Sequence, residues 1–188
     1  MKTLFAYLDS IYPLSVECRK YLSNQIHRRH LRRHEILLHT GDCCQDLYFV
    51  RRGMLWSFRW ERERQTCQWF MRENDIATSV HSFFLREPSQ FCIQAVYTTD
   101  LFEINRECLE EASRRFPVLM ELYLRILRRY YCLEVEKNNI LLKPSIRQQY
   151  HYIRDKHPWM VRDLSSRKLA AWLGTTEQHL SRIKKLPG

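Results

Sequence analysis

Along the first 34 residues apolar side chains recur at helical spacing: Leu4, Leu8 and Ile11, then, after a break at Pro13, Leu22 and Ile26. The pattern predicts helix across 3–34. From Glu35 to Ile104 the period changes. "EILLH", "DLYFVRRGMLWSFRW", "QTCQWFM" and "FCIQAVYTTDLFEI" are short runs rich in β-branched and aromatic residues, separated by turn-like "TGD", "RRG", "WERERQ" and "REPSQ". Runs of this kind predict an all-β sandwich or roll. Glycine is sparse: apart from the last residue there are only Gly41, Gly53 and Gly174. Each is expected where positive φ or close backbone approach is required.

Helical spacing returns from Glu107. Pro117 suits a first helical turn, and Leu119, Leu122, Ile126, Tyr130, Leu133, Lys137 and Leu141 follow at three- and four-residue steps. They predict one helix from about Val118 to Leu142, stopped by Pro144. It would extend about 37 Å, longer than packing on one small roll demands. Leu119, Leu122, Ile126, Tyr130 and Leu133 are its expected dimer seam; a helix packed only on its own domain is the other reading of the same period.

The last apolar-periodic stretch is "LAAWLGTTEQHLSRIKK", Leu169–Lys185. Ser165 or Ser166 can cap a helix reaching about Leu173, Gly174 suits the left-handed position that ends it, and Thr175 or Thr176 can cap the next. Leu169, Leu173, Leu180 and Ile183 form the inward face. Small Ala170 and Ala171 let the two helices approach, as a helix-turn-helix requires. Exposed near the start of the second helix are Glu177, Gln178, His179, Ser181 and Arg182. Gln suits adenine, Arg suits guanine and Glu accepts from cytosine, and Gln178 and Arg182 share a face at i, i+4. Thr176, Lys184, Lys185, Arg167 and Lys168 are placed to meet phosphates.

Charge sharpens this. The chain carries a net charge of +10, and from Pro144 onward nine Lys/Arg face only Asp155, Asp163 and Glu177, a net +6. The first 143 residues, with 22 basic and 18 acidic groups, carry +4. A basic terminal part on a nearly balanced body is the footprint of a polyanion binder. The segment "HRRHLRRHEI" sets His27, His30 and His34 among arginines, but no carboxylate or cysteine completes a ligand set, so it reads as solvated basic surface and no metal is expected. Seven cysteines include no C-x-x-C pair and read as buried reduced thiols, with a thiol redox sensor as the alternative. No nucleophile–base pair or carboxylate constellation marks an enzyme. No apolar run approaches membrane length and no cleavage site follows "MKTLFAYLDSIYP", so a cytoplasmic protein without a membrane partner is expected.

The order of roll, long helix and basic terminal helices resembles the Crp–Fnr family of bacterial transcription regulators. "TGDCCQDLYFVRRGML" (Thr40–Leu55) is similar to that family's G-[ED]-x-x-[DE]-x-L-Y-x-[IV]-x-x-G-x-[VL] stretch, with Gly41 and Gly53 on its turn glycines and Asp42, Leu47, Tyr48 and Val50 on matching positions. "SSRKLAAWLGTTEQHLSRIKK" is similar to its helix-turn-helix, and the short form looks most like members found in Bacteroidetes. The resemblance implies an α+β chain: a double-stranded β-roll with N-terminal helices (1–116), a long dimerisation helix (117–143) and a helix-turn-helix domain (144–188) without the β-wing many members carry. It also implies a homodimer on a palindromic operator in double-stranded DNA, a small-molecule effector of unknown identity, and RNA polymerase as partner if the protein activates. Cyclic AMP does not fit. The expected phosphate-binding turn, within "ENDIATSVHSFFLREPSQFCIQA", lacks its glycine, and Pro88-Ser89-Gln90 stands where the family's Arg-Ser/Thr pair would lie, with Arg86 out of register. Each lost charge-assisted bond is worth roughly 1.5–3 kcal/mol. The expected effector pocket of the roll is Asp75, Ser79, Ser89 and Gln90, and no cofactor is predicted; Cys18 alone cannot hold the family's iron–sulfur cluster. A small-molecule or redox-sensing scaffold with vestigial DNA binding is the alternative.

Overall fold

The computed structural model describes residues 1–185. Two helices open it, α1 (Lys2–Ile11) and α2 (Val16–Gln25). Helix does not continue to residue 34 as the spacing suggested. His27–Leu31 is strand β1, in which only Leu31 is buried. With no apolar helical stripe to bury, the segment takes its hydrogen bonds from a neighbouring strand instead.

Seven further strands follow: β2 (Ile36–Leu38), β3 (Asp46–Arg52), β4 (Met54–Glu61), β5 (Arg64–Arg72), β6 (Ile76–Ala77), β7 (Cys92–Ala95) and β8 (Thr99–Asn105), with the short helix α3 (Val80–Leu85) between β6 and β7. They form two four-stranded sheets, β1-β8-β3-β6 and β2-β7-β4-β5, as the roll reading requires. The run "FCIQAVYTTDLFEI" is two strands that lie in different sheets, and "WERERQ" is mostly strand, its turn confined to Arg62 and Glu63. The first sheet is covered on both faces. Tyr48 and Val50 point into the roll with Leu31, Leu55, Ile93 and Leu101, while Phe49 and Phe102 point to α1 and α2. Successive strand residues face opposite ways, so a doubly covered strand reads as the continuous apolar run "LYFV".

After β8 come α4 (Arg106–Arg115), capped by Asn105, and the 24-residue α5 (Val118–Leu141). Leu119 and Leu122 are buried against Leu4, Leu8, Phe49 and Phe102, and Ile126 packs on the same cluster. The expected seam is therefore corrected in its first two residues, which pack into their own body; Tyr130 and Leu133 are half-buried. The apolar stripe left exposed on α5 is a different one, Met120, Leu124, Leu127, Tyr131 and Val135.

The chain ends in α6 (Ile146–Lys156), α7 (Pro158–Asp163), α8 (Ser166–Trp172) and α9 (Glu177–Lys185). Ile153, Met160, Leu164, Leu169, Trp172 and Leu180 are among its buried side chains. The expectation that no wing follows α9 falls on 186–188, outside the described residues. The chain forms two compact units: Met1–Arg59 with Trp69–Arg128, and Trp60–Gln68 with the chain from Arg129 onward. Within the second, the end of the β4–β5 hairpin is held by Lys137 Nζ donating to the Gln68 carbonyl and by Arg167 donating to Gln65 Oε1 at 3.3 Å. No helix among the described residues is long and apolar enough to cross a membrane.

Candidate nucleic-acid interface

Local chemistry fixes α8 and α9 closely. Ser165 caps α8 by accepting from the Lys168 amide at 3.3 Å. Gly174 follows at φ +65°, and the Thr175 amide returns to the Ala170 carbonyl at 3.0 Å, closing the helix with a left-handed residue. Thr176 caps α9 by accepting from the His179 amide at 3.2 Å. Leu169, Leu173, Leu180 and Ile183 are all buried, so the inward face is the one the spacing indicates.

The outward face is polar and concave. Glu177, Gln178, Ser181 and Arg182 line a shallow cleft together with Ser166. Four of the five residues expected at base edges are thus brought together. His179 is not among them: its Nδ1 lies 2.9 Å from Thr175 Oγ1, turned back to the inter-helix loop. It stands one residue, about 100°, around the helix from Gln178. Ser166 was absent from the expected set because its position suggested only a cap; in the structure Ser165 takes that role, and Ser166 accepts from Lys184 Nζ at 2.8 Å. Of the residues expected at phosphates, Lys184 is thus tied to α8, Arg167 to Gln65, and Thr176 to its cap, while Lys185 is exposed and Lys168 half-buried. Cations on the last turn of α9 also complement its dipole.

The four expected effector residues do not converge. Asp75 Oδ2 accepts from the Arg72 amide at 2.9 Å, closing the β5–β6 turn around Asn74. Ser79 and Ser89 are buried and satisfy each other, Oγ to Oγ 2.8 Å, and the Ser89 hydroxyl also donates to the Phe91 carbonyl at 2.7 Å. Gln90 is exposed. Asp75, Ser79 and Ser89 thus take partners from nearby backbone and side chains, as short polar side chains in tight loops do. The roll interior is filled instead by Leu37, Leu38, Tyr48, Val50, Leu55, Met71, Phe83, Ile93 and Leu101, and Trp56 stacks on Phe58 with ring centroids 4.1 Å apart. Arg106, buried, ties α3 to the roll by donating to the Phe83 carbonyl at 2.9 Å and to Gln45 Oε1 at 3.2 Å. Cys18, Cys44, Cys67 and Cys92 are buried, as expected of reduced thiols, but Cys43 and Cys132 are exposed.

A two-sheet roll, a long helix and a capped helix-turn-helix define a class: the cyclic-nucleotide-binding type of roll joined to a terminal helical domain. The fold is that of the Crp/Fnr regulators. Its structural neighbours include the c-di-GMP responsive global regulator CLP of Xanthomonas campestris, 16% identical, covering 91% of this chain and 90% of that one at a TM-score of 0.72. A CooA variant from Carboxydothermus hydrogenoformans is 15% identical over 97% of this chain and 82% of that one, TM-score 0.70. A Crp/Fnr-family transcriptional regulator from Eubacterium rectale is 18% identical over 90% and 82%, TM-score 0.66. No family model and no curated protein matches the sequence. At such identities the likeness is one of fold.

Proposed function

We propose that the protein is a dimeric, sequence-specific DNA-binding transcription regulator, with α9 as its reading helix. The observation that carries this is the cleft face of α8–α9: Glu177, Gln178, Ser181 and Arg182 stand together on a helix whose start is capped and whose opposite face is buried. Gln178 and Arg182, one turn apart, enter one major groove together, Gln at adenine and Arg at guanine. Lys185, Lys168 and Arg167 lie at the backbone phosphates, Arg167 after exchanging its Gln65 contact for the DNA. The fold neighbours are transcription regulators, which supports the reading.

Reading a palindrome requires two such helices, and the exposed stripe of α5 is the seam we assign to the second copy. Met120, Leu124, Leu127 and Tyr131 follow one another at steps of four, three and four, the spacing of a coiled-coil seam. No effector is assigned to the roll.

Selection of preferred duplexes from a random pool, followed by titration, tests the reading. Gln178→Ala combined with Arg182→Ala should lower the ratio of specific to random binding by about tenfold or more, since a bidentate base contact is worth about 1–3 kcal/mol. Lys185→Ala should weaken all duplexes alike and reduce the salt slope by about one. Unchanged selectivity in the double variant overturns the assignment of α9.

A further inference from the structure

The basic segment of β1 lies outside the α8–α9 face assigned to DNA, and its surroundings form a defined site. β1 and β3 both run antiparallel to β8, so their C-terminal ends meet at the start of β8: Leu31 pairs with Thr99, and His30 and Arg52 both pair with Asp100. Arg32 and Arg33 follow the last residue of β1, and Arg52 is itself the last residue of β3. A shift in register between Val50 and Arg52 releases Arg51 from the ladder. Its Nη2 reaches one oxygen of Asp100 at 2.7 Å, while His30 Nδ1 lies 2.7 Å from the other. The bond from His30, and after it that from Arg51, holds the Asp100 carboxyl below the usual carboxylate range. Glu35 is a further acid beside Arg32, and its side chain accepts from the Arg32 amide at 2.9 Å. Arg32, Arg33 and Arg52 are exposed, and their guanidinium groups have no ion pair among the described residues.

Charge on an edge strand guards a sheet against pairing with other chains. That accounts for Arg28 and His30 within β1. It does not account for Arg32 and Arg33 just past β1 and Arg52 at the last position of β3, all at one end of the sheet. We propose that this end of the first sheet docks a carboxylate-rich segment of another protein. The cations it offers are mainly arginines, whose planar forks match carboxylates, and Asp100 is a carboxylate already gripped there by the Arg51 guanidinium and the His30 imidazole. The three arginines stand on two short segments at one end of the sheet, flanking β8. A duplex, with a charge every ~1.7 Å along its axis, engages a longer track of cations. The site lies in the roll and stands independently of the α9 reading.

The test uses the full chain, a fluorescent oligoglutamate of about twelve residues, and anisotropy at low salt, where such contacts are least screened. The protein should bind the peptide saturably, and Arg32→Gln/Arg33→Gln/Arg52→Gln should bind at least about tenfold more weakly. Arg52→Gln alone, at an exposed position, should lose about threefold and serves if the triple variant misfolds by circular dichroism. Lys184→Ala/Lys185→Ala should bind the peptide within about twofold of the unaltered chain, because those lysines belong to α9. The proposal is overturned by absence of saturable binding, by equal binding in the arginine variants, or by loss that follows the lysine variant instead. Weakening of a random duplex in the triple variant as large as that of the peptide makes the surface a nucleic-acid contact and also overturns it.

Discussion

Gly53 and Gly174 have left-handed backbones for different reasons. A Cβ at Gly53 would lie 2.6 Å from both the Thr98 carbonyl oxygen and Thr99 Oγ1, on top of the strain of φ +98°. At Gly174 a Cβ meets nothing within 4 Å, so φ +65° is the whole of the objection. Gly53→Ala should therefore cost about 2–4 kcal/mol, and Gly174→Ala about 1 kcal/mol, in urea unfolding; equal costs would show that the close approach at the β3–β4 turn is relieved by a shift. Both positions were legible in the sequence because glycine is so sparse. Ser79 and Ser89 were not. Their place along the chain suggested a ligand, but a hydroxyl pair satisfied within a buried loop leaves no mark in spacing or composition.

At the scale of elements, the length and bounds of α5 follow from its apolar steps and its flanking prolines, while the use of each face does not. A helix with apolar residues on two sides gives two interleaved series, and only the packing of α1, α2 and the first sheet decides which is inward. Leu119 and Leu122 belong to that series, Leu124 and Leu127 to the other. The two sides should separate by experiment. Leu124→Asp with Leu127→Asp should halve the mass measured by light scattering while helicity remains. Leu119→Ala should leave mass unchanged and cost about 2–5 kcal/mol through the cavity it opens. A full-mass aspartate variant would count against the seam. β1 was missed for a related reason: its identity depends on β8, some 70 positions away, and not on its own apolar content. The helix-turn-helix was read almost completely, since its caps, glycine and core face are local.

For the whole molecule, burial sets an alkaline limit. The Cys92 thiol is pushed by burial from its ordinary 9.0 to about 11, and Cys18 is raised for the same reason. The unfolded chain thus releases these protons first, so stability is fully present below pH 9 and falls as the pH rises from 9 towards 11. In a thiol assay at pH 8, Cys43 and Cys132 should react rapidly, while Cys18, Cys44, Cys67 and Cys92 should wait for unfolding. Rapid modification of more than three thiols in the folded chain, allowing for half-buried Cys108, would contradict the packing described. One further consequence concerns modularity. The compact unit that contains α8 and α9 also takes in Trp60–Gln68 and the second half of α5, where Glu136 meets His157 at 3.0 Å and Lys137 meets Gln68. Pro144 looks like a seam for cutting and splicing, but a fragment begun there leaves His157 without its acid and Arg167 without Gln65. A chimera that joins a foreign roll to these terminal helices inherits that deficit unless it transplants the 60–68 ribbon as well, so the exchangeable module is discontinuous in sequence.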